Sequence, residues 1–146
     1  MIPVANPIAE PAAFDVGCHQ PGDAWLASHP AKTKGERFPS YWLPFQPDLA
    51  DGFSNRCGWW AMRIEDGHVD HYLSKDNHRH LAYTWNNYRY IAGSVNSSKK
   101  NHDDAVLDPF EAGQGWFEVI LPSMQLIRTA QIPTQLLARQ ILPSSN

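Results

Sequence analysis

Several things are scarce in this chain of 146 residues, and each scarcity narrows its class. The two cysteines, Cys18 and Cys57, are too few for a disulfide framework and form no CxxC pair, so each is expected as a free buried thiol. No stretch approaches the roughly 20 apolar residues of a membrane span, and no basic segment leads into an apolar run at the N-terminus. A cytoplasmic protein without a membrane partner is the expectation. Residues 1–50 lack sustained periodicity of either kind and hold eight prolines. Each proline removes a backbone donor and restricts the residue before it, which argues against a long helix or a central strand. Internal repeats, a nucleophile elbow and a phosphate-cradling glycine loop are also missing.

What is present is enough for a folded domain. Hydrophobic residues make up 42% and aromatics 12%, and a domain near this size hides roughly 70% of the surface its unfolded chain exposes. The formal charge of -3 is unevenly spread. Residues 69–102 hold five Lys and Arg against two Asp, a local +3, while residues 1–68 and 103–146 each stand at -3. Such a concentration of positive charge is the footprint of a phosphate-binding surface, although a solvated loop with ordinary charge scatter is the bland alternative.

Along the chain, residues 1–50 are expected to wrap the core as an irregular arm. Within it Tyr41, Trp42 and Phe45 pack inward or, alternatively, offer a base-stacking platform, and a short helix over residues 47–53 is entered through Pro47. Residues 59–64 and 68–72 read as two strands joined by a tight turn at Asp66-Gly67. That hairpin delivers Asp70 and His71 at its end, where neighbours point to opposite faces, so a bend or bulge at Asp70 is expected if both serve one site. Residues 74–83 form a polar loop, residues 85–90 turn the chain back, and residues 94–100 make a short helix with Ser94 as its cap. A strand near residues 116–121 and a short terminal helix after Pro133 complete the chain.

The pair Asp70-His71 is followed by Asn87 sixteen residues after His71, then by Asn96 nine residues later with Lys99 and Lys100 behind it. This order resembles the HNH (ββα-metal) endonuclease pattern over residues 56–110. The resemblance implies an α+β protein with a ββα-metal core: the Pro-rich arm 1–50, the nuclease core 51–112, and a C-terminal strand and short helix in 113–146. It implies a phosphodiester hydrolase that nicks DNA, with RNA as the other candidate, in a mobile-element, restriction or phage-defence setting. His71 would be the general base and Asn87 the residue orienting it. Asp70 and Asn96 would bind Mg²⁺ or Mn²⁺, and Lys75, Arg79, Arg89, Lys99 and Lys100 would contact nucleic-acid phosphates. A homodimer, or a regulatory or targeting protein, is a further expected partner.

The sequence departs from the family at the structural zinc. Many members carry two CxxC pairs, whereas here the positions read Cys57-Gly58-Trp59-Trp60 and Ala92-Gly93-Ser94-Val95. One cysteine cannot close a tetrahedral site, so no structural zinc is expected, and Trp60, Ala92 and Val95 are expected to fill the space. A zinc site on His78 and His80 is the weaker metal reading. The alternative from another class is an HNH-like nucleic-acid-binding or protein-interaction module with little catalysis.

Overall fold

Prolines in the N-terminal third stand where helices can use them. Pro21 and Pro47 occupy first turns, in which the backbone N–H has no intrahelical partner to lose. A computed structural model describes residues 4, 8–31, 33, 36–60, 62–95, 103, 105–122, 125–137 and 139, without the side chains of Val119, Gln125 and Leu126. A π-helical turn, Asp15–His19, runs directly into α1, Gln20–Ser28. His29 then leaves helical geometry ahead of Pro30. The arm is therefore more helical than its proline content suggested, because only Pro21 falls inside this stretch. Gly22 lets α1 approach the rest of the protein closely, since a Cβ there would lie 2.1 Å from Tyr83 Cγ.

The expected helix after Pro47 is α2, Gln46–Gly52, entered through a 3₁₀ turn, Leu43–Phe45. Ser54 and Asn55 follow it with φ of 53° and 54° and reverse the chain. Here the structure corrects the hairpin. The Cys57 N–H bonds the Met62 carbonyl and the Ile64 N–H bonds the Asn55 carbonyl, so residues 55–57 fold back on residues 62–64. Asp66-Gly67 is not the hairpin turn, because Gly67 already opens β1, Gly67–His71. β1 instead pairs antiparallel with β2, Tyr88–Ala92, across the loop 72–87. Gly67 is required at that edge, because a Cβ would meet Tyr90 Cζ at 2.1 Å.

The register runs one to one from Gly67↔Ala92 to His71↔Tyr88. The bulge expected at Asp70 is absent. Strand parity puts Val69 and His71 with Tyr88 and Tyr90 on one face, and Asp70 with Arg89 and Ile91 on the other. Residues 93–95 begin a helical turn directly after β2. A second antiparallel pair, β3 (Phe117–Ile120) and β4 (Gln125–Arg128), lies beyond it, and β4 had no counterpart in the sequence reading. Near the C-terminus the described residues contain a 3₁₀ turn, Thr134–Leu136. The architecture is thus mixed helix and strand, an α+β arrangement with two small sheets. Among the described residues no helix is long and apolar enough to cross a membrane.

Two apolar clusters sandwich the β1–β2 hairpin. The larger joins Phe14, Cys18, Trp42, Phe45 and Leu49 to Trp85, Tyr88 and Tyr90, so residues 1–50 supply much of the main core. The smaller gathers Cys57, Trp59, Ile91, Val95, Val106 and Leu107. It includes the Cys57, Ala92 and Val95 positions, with one change from expectation: Trp59 is the buried indole at 0% exposure while Trp60 is 47% exposed. Ala92 and Val95 pack there as expected, and both cysteines are free and buried.

Candidate functional site

Asp70 and His71 are the last two residues of β1 and are 5% and 7% exposed. The His71 ring stands edge-on to Trp42, with centroids 4.7 Å apart at 82°, and to Tyr88 at 5.1 Å. Its Nε2 is 2.8 Å from the Ala82 carbonyl oxygen. A carbonyl can only accept, so Nε2 carries a proton and donates it to this bond. The same carbonyl accepts from Tyr88 Oη at 2.9 Å, which leaves the Cys18 thiol as donor to that hydroxyl at 3.7 Å. Burial pushes the Tyr88 hydroxyl far up and the Cys18 thiol up to about 11, so both stay protonated at neutral pH.

Asn87 governs the loop that presents this carbonyl. It ends a 3₁₀ turn, Trp85–Asn87, and is 6% exposed. Its Oδ1 accepts from the Leu73 N–H at 2.9 Å, and its Nδ2 donates to the Leu73 and Leu81 carbonyls at 3.0 and 3.3 Å. The Tyr72 N–H also bonds the Asn87 carbonyl. Through these bonds Asn87 holds the two ends of the loop together and fixes the Leu81-Ala82 backbone against His71. Asp103 does the same for the loop's outer turn. Its carboxylate accepts from the Ser74 N–H, Ser74 Oγ and Asn77 Nδ2 at 2.7 to 3.1 Å, with His78 Nε2 at 3.7 Å.

The basic residues divide sharply. Arg89 is 4% exposed, donates to both Asp108 oxygens at 2.7 and 2.5 Å, and stacks over Phe110. Arg79 makes a two-point pair with Glu36 at 2.9 and 2.7 Å between the rings of Trp25 and Phe38. Both guanidiniums expected at phosphates are therefore committed to carboxylates of the fold. Lys75 differs: its Nζ lies 4.8 Å from the Trp42 ring centroid and 5.7 Å from that of Phe38. Desolvation pulls its ammonium below the usual lysine range, against the opposing fields of Asp76 and Asp70. Trp42 touches both Lys75 and His71, whereas Asp70 stands on the other strand face.

Asn96, Lys99 and Lys100 lie outside the described residues. Of the expected site, then, His71 and Lys75 meet at Trp42, Asn87 reaches His71 through the Leu81-Ala82 backbone, Asp70 lies on the strand face opposite His71, and Arg79 and Arg89 serve the frame. Sequence reasoning missed Ala82, Asp103 and Asp108. A backbone carbonyl leaves no residue signature, and an Asp in a polar run looks the same whether it is solvated or buried. Trp42 was visible in the aromatic run as packing or a base-stacking platform, but not as a neighbour of His71. Among the described residues no cluster of three or more His, Cys, Asp or Glu is placed to hold a metal, which includes His78 and His80. Comparison with family models, curated proteins and solved structures finds no match to this chain.

Proposed function

We propose that the chain is a divalent-metal-dependent endonuclease of the HNH (ββα-metal) type that hydrolyses phosphodiester bonds in DNA, one strand at a time. The observation that carries this reading is the fixed imidazole at the end of β1. The bond from Nε2 to the Ala82 carbonyl and the rings of Trp42 and Tyr88 fix its orientation, which a general base needs. The order strand, Asn-closed loop, strand and helical turn around it supports the same reading.

The donor chemistry fits a hard cation. Asp70, next to His71 in the chain but on the other strand face, offers carboxylate oxygen, Asn96 adds an amide oxygen in the sequence, and Mg²⁺ or Mn²⁺ takes few protein oxygens alongside water and phosphate. When bound, such an ion supplies positive charge to the phosphate. The remaining work belongs to the chain. His71 Nδ1 removes a proton from water as its oxygen bonds phosphorus. The bond to the leaving sugar oxygen breaks, and that oxygen takes a proton from solvent. Asn87 acts as a positioning residue through the Leu81-Ala82 backbone. Phosphate contacts fall to Lys75, with Lys99 and Lys100.

Plasmid nicking by the purified protein in Mg²⁺ or Mn²⁺ tests the reading. Wild type is expected to convert supercoiled to open-circle DNA, and EDTA to stop it. His71→Ala should lower the rate about 10²–10⁴-fold, the usual contribution of a positioned acid or base. Undiminished nicking by His71→Ala, or nicking that survives EDTA, would refute it. Inert wild type that still shifts DNA on a gel would instead favour the binding-module alternative, and cleavage of RNA but not plasmid would reassign the substrate.

A further inference from the structure

Lys75 is a charge that the fold brings in and does not neutralise. It stands four residues beyond His71 on the β1–β2 loop, over the faces of Trp42 and Phe38. Among the described residues it makes no hydrogen bond and no ion pair, whereas Arg79 and Arg89 are each gripped by a carboxylate. Ring faces attract a cation, yet they offer the ammonium N–H groups no protein oxygen acceptor. The half-buried ammonium still reaches solvent, so an incoming oxyanion can meet it by displacing water rather than by competing with a carboxylate. The position is specific, because the indole that carries Lys75 on its face also flanks the His71 ring.

We propose that Lys75 is a further catalytic residue, whose ammonium takes a non-bridging oxygen of the scissile phosphodiester beside His71 and stabilises the charge that grows there in the transition state. The inference rests on the nuclease reading and deepens it. A lysine bound only to flanking backbone phosphates would position DNA and leave the chemistry alone. Lys75 moves no proton in this scheme. Its charge acts on the phosphoryl oxygen while His71 handles the water.

The experiment compares wild type, Lys75→Met and Lys75→Arg on two substrates in Mn²⁺. One is supercoiled plasmid, and the other is bis(p-nitrophenyl) phosphate, a diester with no flanking nucleotides. Lys75→Met is expected to lose about 10²-fold or more in kcat on both, in the range found for removing one oxyanion donor. Its KM for plasmid should stay within about threefold of wild type, because the interaction lost is made in the transition state. Lys75→Arg keeps the charge and should recover part of the loss, which guards against a fold defect in the Met variant. Hydrolysis of the small diester by Lys75→Met at the wild-type rate would overturn the proposal. Should wild type cleave neither substrate, the nuclease reading fails and takes this inference with it.

Discussion

The two faces of the β1–β2 hairpin are packed by opposite means. One face is aromatic: Phe14 meets Phe45 and Trp85 edge-on at 5.1 Å, and Tyr88 continues the set toward Trp42 and His71. The other packs Val95, Val106 and Leu107 with the Trp59 indole around Ile91, and Arg89 on this face is closed off by Asp108. The difference separates chemistry from frame. Rigid rings hold the His71 imidazole by contact, and its Nε2 donates to the Ala82 carbonyl. A two-point ion pair leaves nothing to react, and it ties β2 to the segment after the helical turn.

The largest expected effect comes from breaking the frame. Arg89→Met would strand the Asp108 carboxylate in an apolar setting, and removing one partner of a buried pair typically costs about 3–5 kcal/mol. Urea unfolding followed by tryptophan fluorescence reads this directly. Adding Asp108→Asn should return much of the loss, since the uncompensated charge is then gone. If Arg89→Met costs under about 1 kcal/mol, the ion pair is not what holds this face, and the contrast between the faces collapses.

A smaller effect sharpens the same contrast at the loop. Asn87→Ala removes three hydrogen bonds and leaves Leu73 and Leu81 backbone groups unmet, at a cost of about 2–3 kcal/mol. Amide exchange should accelerate at Leu73 while β2 stays protected. On the proposed reaction, nicking should fall in conditions where the variant remains folded, because the Ala82 carbonyl no longer fixes the ring. Unchanged nicking by folded Asn87→Ala would confine Asn87 to holding the loop.

How much of this was legible varies by element. The helix after Pro47, the turn at Trp85–Asn87 and the free cysteines could be read because proline, asparagine and residue order carry local geometry, whereas the bend that would bring Asp70 to the His71 face is absent. The strand pairing was misread. Residues 59–64 look like a strand by composition, but the positive-φ pair Ser54-Asn55 folds residues 55–57 onto 62–64 instead. That left β1 to find its partner across a loop that no local pattern announces. Arg79 and Arg89 counted as basic footprint because sequence charge does not reveal that Glu36 and Asp108, 43 and 19 residues away, consume them. The helical turn at Asp15–His19 was hidden by the prolines around it.

The smallest effect probes the strap that seats the aromatic face. Glu36 clamps Arg79 in the loop, and the strap beyond it carries Phe38 and Trp42 against Lys75 and His71. Hydrogen bonds from Arg79 hold the Glu36 carboxyl below its ordinary value of 4.5. The unfolded chain therefore takes up this proton at higher pH than the folded one. The clamp's stabilisation is full above about pH 4.5 and fades as pH falls through the folded value. Glu36→Gln removes the linkage, so its melting temperature should lie slightly below wild type at about pH 7 and converge with it near pH 3. A gap of equal size at both pH values would mean that the carboxylate charge does not secure the strap, and that ring packing alone seats Trp42 beside His71.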